Sequence, residues 1–344
     1  MTPRGELALG IDVGGTKIAV GVVTGDGEII DRLLVPTPTD DKDANSILIM
    51  LAELVQHFRD RYSRIATVGV GAAGMVEWPD GFIRWAPNNS YRQLPLRAKL
   101  SELCGGIPTV VDNDANVAAW AEFRFNVART DKNMLFLTVG TGVGGGIILD
   151  GAVYRGSSGI AGEIGHLIVD PKSGILCGCG NVGCLEAVAS GTALERMGRA
   201  AAARDYNSKL TELAGSPERV TGKIIFEAAD KGDPVASLLF EELGNWLGIG
   251  IASLVNVLDF DSIVLGGGLA AAGELLLVPT RDSFNRHVFG RPYRSLPKIR
   301  LSRFGEAAGL IGAATLALDT TVTPEHSACF KLDTSGTCAE SISL

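Results

Sequence analysis

Leu7-Ala-Leu-Gly-Ile-Asp12-Val-Gly-Gly-Thr-Lys17-Ile-Ala-Val-Gly-Val-Val23 sets two apolar runs around a polar turn that carries two glycines. Leu7 to Ile11 and Ile18 to Val23 read as short strands and Asp12 to Lys17 as the turn, which makes a tight hairpin. Gly14 and Gly15 allow the backbone to approach a ligand closely, so the turn's N–H groups can face a phosphate with Asp12 at the rim. The pattern returns later in the chain. Met134 to Val139 is a strand, Gly140-Thr-Gly-Val-Gly-Gly-Gly146 a turn, and Ile147 to Leu149 the returning run. The chain reads as internally duplicated, with one such hairpin in each half.

Two further apolar runs end on glycines: Ala66-Thr-Val-Gly-Val-Gly-Ala-Ala-Gly74 and Asp261-Ser-Ile-Val-Leu-Gly-Gly-Gly-Leu-Ala270. Both read as buried strands that end at a ligand. Amphipathic helix candidates span Ala44 to Tyr62, Ala115 to Val127, Leu185 to Arg204, Thr221 to Lys231 and, with some breaks, Pro234 to Leu258. Strands alternating with helices imply mixed α/β layers with ligands at the strand ends. Glycine makes up 44 of 344 residues, so one glycine turn alone says little, whereas four that each follow an apolar run say more. None matches G-x-x-x-x-G-K-[ST], and Gly10 to Gly15 lacks the G-x-G-x-x-G spacing, which excludes the P-loop and dinucleotide fingerprints.

Composition narrows the class. A chain of 344 residues, 46% apolar and 20% charged, supports two domains around a large core. A net charge of −8 gives no electrostatic reason to bind nucleic acid or an anionic membrane. The partner expected is a small molecule. The first residues carry no apolar signal core, and the stretch from Trp246 to Leu258 is interrupted by glycine and too short to span a bilayer. Cys104, Cys329 and Cys338 lack a disulfide spacing, which suits a reducing, cytoplasmic compartment.

Gly162-Glu163-Ile-Gly-His166, followed by Cys177-Gly-Cys179-Gly-Asn-Val-Gly-Cys184 and Glu186, is a metal signature. One imidazole and three thiolates form a complete tetrahedral set, which zinc takes with no open position, as a structural site. The other use of such ligands is a nucleic-acid module, which needs a basic face. From Gly159 to Glu186 there is one Lys, no Arg and three acidic residues. Glu163 and Glu186 flank the ligands, so an ion that folds this segment also fixes two carboxylates.

The catalytic candidate lies in Thr109-Val-Val-Asp112-Asn113-Asp114-Ala-Asn116, where an apolar strand meets a helix. Two readings stand for Asp114. It is either the helix N-cap, worth about 1 kcal/mol, or a carboxylate that takes the proton of an attacking hydroxyl in phosphoryl transfer.

Taken together, Asp12 to Lys17, Asn113-Asp114, Thr138-Val-Gly-Thr-Gly-Val-Gly, Gly162 to His166, Cys177 to Glu186 and Gly266-Gly-Gly-Leu-Ala270 resemble the ROK family of sugar kinases, within the actin-like ATPase superfamily. The likeness runs from about Leu7 to Ala317 and is strongest to the family's bacterial glucokinases. It implies a two-lobed, actin-like (ribonuclease H-like) α/β fold with duplicated mixed β-sheet domains and a zinc-binding segment. The smaller lobe would comprise residues 1–116 plus 305–320, the larger 117–304, and 321–344 a flexible tail. The implied reaction is ATP-dependent phosphorylation of a hexose, glucose to glucose 6-phosphate, with Asp114 as base. Another hexose, N-acetylmannosamine, N-acetylglucosamine or fructose, is the alternative.

Position by position, the resemblance implies that Gly74, Asn88, Asn113, Asp114, Glu163, His166 and Glu186 hold the sugar. Asp12, Gly14, Gly15, Thr16 and Lys17 match the first phosphate loop, with Asp12 near Mg²⁺. Thr141 and Gly142 match the second, and Gly267 and Gly268 the adenosine turn. His166, Cys177, Cys179 and Cys184 would bind structural Zn²⁺, leaving the second ring nitrogen of His166 for a sugar oxygen. A homodimer or dimer of dimers through the larger lobe is implied. Some family members are sugar-responsive repressors with an N-terminal DNA-binding extension, for which a first loop starting at Asp12 leaves no room. Trp78 and Trp85, in the loop from Val76 to Trp85, are expected as core fillers rather than a sugar-stacking wall.

Overall fold

The computed structural model describes residues 6–38, 45–86, 92–205 and 208–321. In the first half, β1 (Leu7–Val13), β2 (Lys17–Thr24) and β3 (Ile29–Pro36) form an antiparallel meander. After α1 (Asn45–Arg61), β4 (Ile65–Ala72) joins β1 in parallel. A small antiparallel sheet of β5 (Met75–Glu77), β6 (Phe82–Trp85) and β7 (Arg92–Leu94) follows, then α2 (Leu96–Leu103). Next, β8 (Thr109–Asn113) pairs in parallel with β4 and leads directly into α3 (Asp114–Phe125).

The second half repeats the plan. Strands β9 (Met134–Val139), β10 (Val143–Leu149) and β11 (Ala152–Val153) form an antiparallel meander. Helices α4 (Leu185–Ala189), α5 (Gly191–Arg204), α6 (Lys209–Ala214), α7 (Gly222–Asp230) and α8 (Pro234–Leu258) precede β12 (Ser262–Gly266). Then come α9 (Glu274–His287), β13 (Lys298–Leu301) and α10 (Ala308–Thr321). The sheet orders are β3-β2-β1-β4-β8 and β11-β10-β9-β12-β13, each with two antiparallel pairings followed by two parallel ones. The duplication expected from two glycine hairpins is therefore a duplication of whole sheets.

Helices α3 and α10 lie between the sheets. Helix α10 packs on β1 and β4, α3 packs on β9 and β10, and the two helices pack on each other. Glycine makes that approach possible. A Cβ on Gly69 would lie 1.8 Å from the Ala313 carbonyl, and one on Gly312 would lie 1.6 Å from that of Val117. The same cause corrects the second hairpin. Val143 to Gly146, expected as turn, belongs to β10, because Gly146 lies under α3, where a Cβ would meet that of Ala119 at 2.5 Å. The turn proper is 140–142.

Other boundaries shift for local reasons. The helix expected over Leu185 to Arg204 breaks at Ser190, whose extended backbone frees its hydroxyl to cap α5 at the Ala193 amide. Helix α8 runs unbroken for 25 residues, capped by Asp233 with Pro234 in the first turn. It is long and apolar enough to cross a bilayer, yet Phe240, Leu243, Leu247, Ile251 and Val255 line a buried stripe in the core of the second half. The core-filler expectation fails for Trp85, which is 41% exposed. Its ring lies on the short outer sheet, where Arg92 stacks on it. Trp78 is partly buried against Val110, Val117 and α10.

Candidate active site and metal centre

Parallel register brings the chemistry together. Val13 pairs with Ala72 and Ala72 with Asn113, so β1, β4 and β8 end side by side, at the first glycine turn, the Gly74 loop and Asn113-Asp114. Gly74, at φ 108°, fits a site where a Cβ would lie 2.4 Å from the Trp85 carbonyl. Its own carbonyl accepts from Asn113 Nδ2 at 3.1 Å. In the second half Val139 abuts Gly267, whose φ is 81°, and Gly140 faces Gly268. The second hairpin turn and the glycines after β12 thus meet.

Asn113, not Asp114, is the N-cap of α3. Its Oδ1 accepts from the Ala115 and Asn116 amides at 2.9 and 3.2 Å. This corrects the capping alternative for Asp114, because the strand's extended backbone ends at Asn113 and Asp114 already has helical geometry. Asp114 is the first helical residue, and its Oδ1 accepts from Ala115 N at 2.8 Å. Burial pushes its carboxyl above the usual range, against the pull of backbone and Asn113 hydrogen bonds. Asp12 is pushed up to about 7 by burial, with the charges of Asp114 and Glu306 adding and that of Lys17 opposing. Glu163 is raised by burial, offset by His166, with Asp114 and Glu186 raising it further. Asp12, Asp114, Glu163, His166 and Glu186 therefore share one electrostatic neighbourhood, in which half-buried Asp12, Asp114 and Glu186 and the more exposed Glu163 gather negative charge at one place.

The two hairpin turns are held differently. In the first, the Gly14 amide closes the hairpin on the Lys17 carbonyl at 3.0 Å, and the Thr37 hydroxyl donates to the Gly14 carbonyl at 2.8 Å. Gly14 N–H is thereby committed, and Gly15 and Thr16 form the tip. Lys17 pairs with Glu306 at 2.8 Å at an exposed position. In the second, the Gly140 carbonyl accepts from Gly191 N at 2.7 Å and the Thr141 carbonyl from the Thr192 hydroxyl at 2.8 Å. Glu186 Oε2 accepts from Val143 N at 3.0 Å and sits where a Cβ on Gly142 would be 2.3 Å away.

Glu186 leads to the metal centre. The donor atoms of His166, Cys177, Cys179 and Cys184 all lie within 4.8 Å of one another. Cys179 and Cys184 Sγ are 3.6 Å apart, as are Cys177 Sγ and His166 Nδ1. Zinc bonded to two sulfurs at about 2.3 Å sets them about 3.8 Å apart, so the set fits Zn²⁺. The loop is tight, closed by Cys177 N on the Asn181 carbonyl at 2.8 Å. Gly183 must be glycine, since a Cβ there would overlap the Asp170 carbonyl at 1.8 Å. Burial beside two further thiols pushes Cys184 up to about 12, a penalty that a bound dication reverses. His166 directs Nδ1 to the thiols and carries Nε2 on the Glu163 side, 4.0 Å from that carboxylate. Cys177 Sγ also lies 3.7 Å from Glu186 Oε1.

The sequence pattern of the ROK family matches residues 8–320, nearly the whole described chain. The chain belongs to the ROK family. A glucokinase of Streptomyces coelicolor is 42% identical over 90% of this ROK chain and 97% of its own length. The crystal structure of a ROK glucokinase from Streptomyces griseus, in complex with glucose and AMPPNP, superposes with a TM-score of 0.80 at 41% identity, covering 90% and 98% of the two chains. An N-acetylmannosamine kinase of Escherichia coli is 36% identical over 90% of this chain and 98% of its own. The two mixed sheets with their helices are accordingly the actin-like ROK fold.

Of the residues expected at the site, Asn88 lies outside the described residues, as does the stretch 322–344. Reasoning from sequence missed Glu306, which pairs with Lys17, and the buried group of Asp112, Asn116 and Arg155 beside Asp114. Asp112 carried a signal, as a polar residue at the buried end of an apolar strand, and Asn116 follows it in the first turn of α3. Arg155 carried none, because its partner is 43 residues away.

Proposed function

We propose that this chain is an ATP:hexose 6-phosphotransferase acting on glucose, with Asp114 as general base. The observation that carries the reading is the setting of Asp114. It is a half-buried carboxylate at the head of α3, held above its ordinary proton affinity by desolvation, in one neighbourhood with Asp12, Glu163 and the Asn113 cap. A general base positioned at the reacting hydroxyl contributes roughly 10²–10⁴-fold. Asn113, Gly74, Glu163, His166, Glu186 and Asn88 bind the sugar in this reading. The Nε2 of His166 donates to a ring hydroxyl, the neighbouring carboxylates accept, and Asp114 Oδ takes the proton of the 6-hydroxyl as it attacks the γ-phosphorus. Gly15 and Thr16, with Thr141 and Gly142, hold the phosphates, and Gly267 and Gly268 the adenosine.

Asp12 suits Mg²⁺ carried in with ATP, an ion that neutralises phosphate charge during transfer. Zn²⁺ at His166, Cys177, Cys179 and Cys184 supplies structural cross-linking of the sugar-binding segment. Residues 1–116 with 305–320 and residues 117–304 act as two lobes whose closure excludes water, the competing phosphoryl acceptor. A cytoplasmic homodimer or dimer of dimers completes the proposal. N-acetylmannosamine is the second candidate substrate, favoured by the 36% identical E. coli kinase.

ADP release measured over glucose, fructose, N-acetylglucosamine and N-acetylmannosamine tests the reading. Glucose should give the highest kcat/KM. A higher value for N-acetylmannosamine would transfer the assignment to that sugar, and no turnover on any of them would contradict the enzyme reading in favour of a sugar-responsive regulator.

A further inference from the structure

Asp112 is 1% exposed, at the end of β8, two residues before Asp114. Its Oδ1 accepts from Asn113 N at 2.7 Å and from Asn116 Nδ2 at 3.0 Å. Its Oδ2 accepts from Arg155 Nε at 2.8 Å. Arg155 follows β11 of the other large sheet, donates from Nη1 to the Val153 carbonyl at 3.2 Å, and lays its guanidinium 3.7 Å over the Trp78 ring. The chain then turns at Gly159, where a Cβ would lie 2.5 Å from Trp78 N, and reaches Glu163 and His166. One guanidinium therefore ties together β8, the end of β11 and the turn that follows β5, and with them the two segments that carry Asn113-Asp114 and Glu163-His166.

We propose that Arg155 is a positioning residue for the reaction, fixing Asn113 and Asp114 relative to the Glu163–His166 segment through Asp112 and Trp78. The inference rests on Asp114 being the base. The fork of Arg155 divides its work. One nitrogen holds the aspartate whose other oxygen pins the Asn113 amide and the Asn116 side chain, and the planar face stacks on an indole. Lysine can supply the charge but neither the planar stack nor the directed Nε–H. No hydrogen bond of Arg155 goes to the phosphate turns, so its effect should fall on the sugar half of the reaction.

The test compares Arg155→Met, Arg155→Lys and the double variant Asp112→Asn/Arg155→Met as full-length protein, by thermal midpoint, kcat and separate KM values for sugar and ATP. Arg155→Met should lower kcat by about 10²-fold, the scale for a misplaced reacting group, raise the sugar KM and leave the ATP KM unchanged. Arg155→Lys should fall between. The double variant removes the unpaired buried carboxylate and so recovers thermal stability, while kcat stays low. Should Arg155→Met fail to fold, the double variant alone decides. Wild-type kcat in a folded Arg155→Met protein, or full recovery of kcat in the double variant, would overturn the proposal. Turnover retained in Asp114→Asn would instead sink the base assignment itself, so the two failures are distinguishable.

Discussion

The two halves of this chain share a sheet order and a self-closed glycine hairpin, Gly14 N on the Lys17 carbonyl and Gly140 N on that of Gly142, yet different partners hold the two turns. The first turn is closed by Gly14 on Lys17 and is held from the end of β3 by Thr37, on the Gly14 and Thr16 carbonyls, with the exposed Lys17–Glu306 pair reaching the segment before α10. The second is held from a distance, by the head of α5 and by Glu186, which itself touches Cys177. Repeated strands thus reproduce a hairpin, but among the described residues the His166–cysteine cluster stands beside the second copy alone. The difference teaches that the second turn, Glu186 and the cysteine cluster are one mechanical unit, whereas the first turn, among the described residues, is tied only to its own sheet and to Glu306.

The strongest way to break that asymmetry is to remove the metal centre. Cys184→Ser should cost about 4 kcal/mol or more, as metal-site losses do, which is roughly 10 °C or more in Tm at about 2–4 °C per kcal/mol. Activity should fall with it. Calorimetry with metal analysis checks this, and an unchanged Tm with no zinc in the wild-type protein would refute the site.

A finer cut compares the turns directly. Gly142→Ala puts a methyl group 2.3 Å from Glu186 Oε2, whereas Gly14→Ala meets only the Lys17 carbonyl at 3.0 Å. The first should lose turnover about 10²-fold, the scale for a displaced reacting group. The second should cost no more than about 1 kcal/mol and little activity. Equal effects on kcat would show the turns to be held alike.

The smallest expected effect concerns Asp12 beside the first turn. Its carboxyl is raised to about 7 from 3.8. The folded state therefore favours the neutral form, so this group destabilises the fold above pH 7. That cost is relieved as pH falls from 7 toward 3.8. Asp12→Asn should remove this part of the pH dependence, and should also weaken Mg-ATP binding, since the carboxylate is the form that suits a cation. A pH series of Tm without nucleotide that is identical in wild type and Asp12→Asn would contradict the shift.

Much of this was legible in sequence where one local signal sufficed. Apolar runs ending on glycine located β1, β4, β9 and β12, because fully buried strands need no alternation. The spacing of Cys177, Cys179 and Cys184 announced a metal loop, since ligand geometry there is set by neighbours in the chain. Other features were hidden by packing. Gly144 to Gly146 read as turn because glycine serves a flexible loop and a crowded strand equally well, and only the packing of α3 on one face and of Gly162 and Ile164 on the other tells them apart. Helix α9 escaped notice because Pro279 lies inside it, where it packs on Gly244 of α8. Arg155 was silent because ion pairs between sheets leave no local trace.

The central claim, that Asp114 is the base of a sugar kinase, is tested most directly by ADP release from Asp114→Asn in saturating glucose and Mg-ATP, alongside glucose binding by calorimetry. The account predicts retained glucose binding and turnover lowered about 10²–10⁴-fold. Turnover equal to the wild-type protein would contradict it.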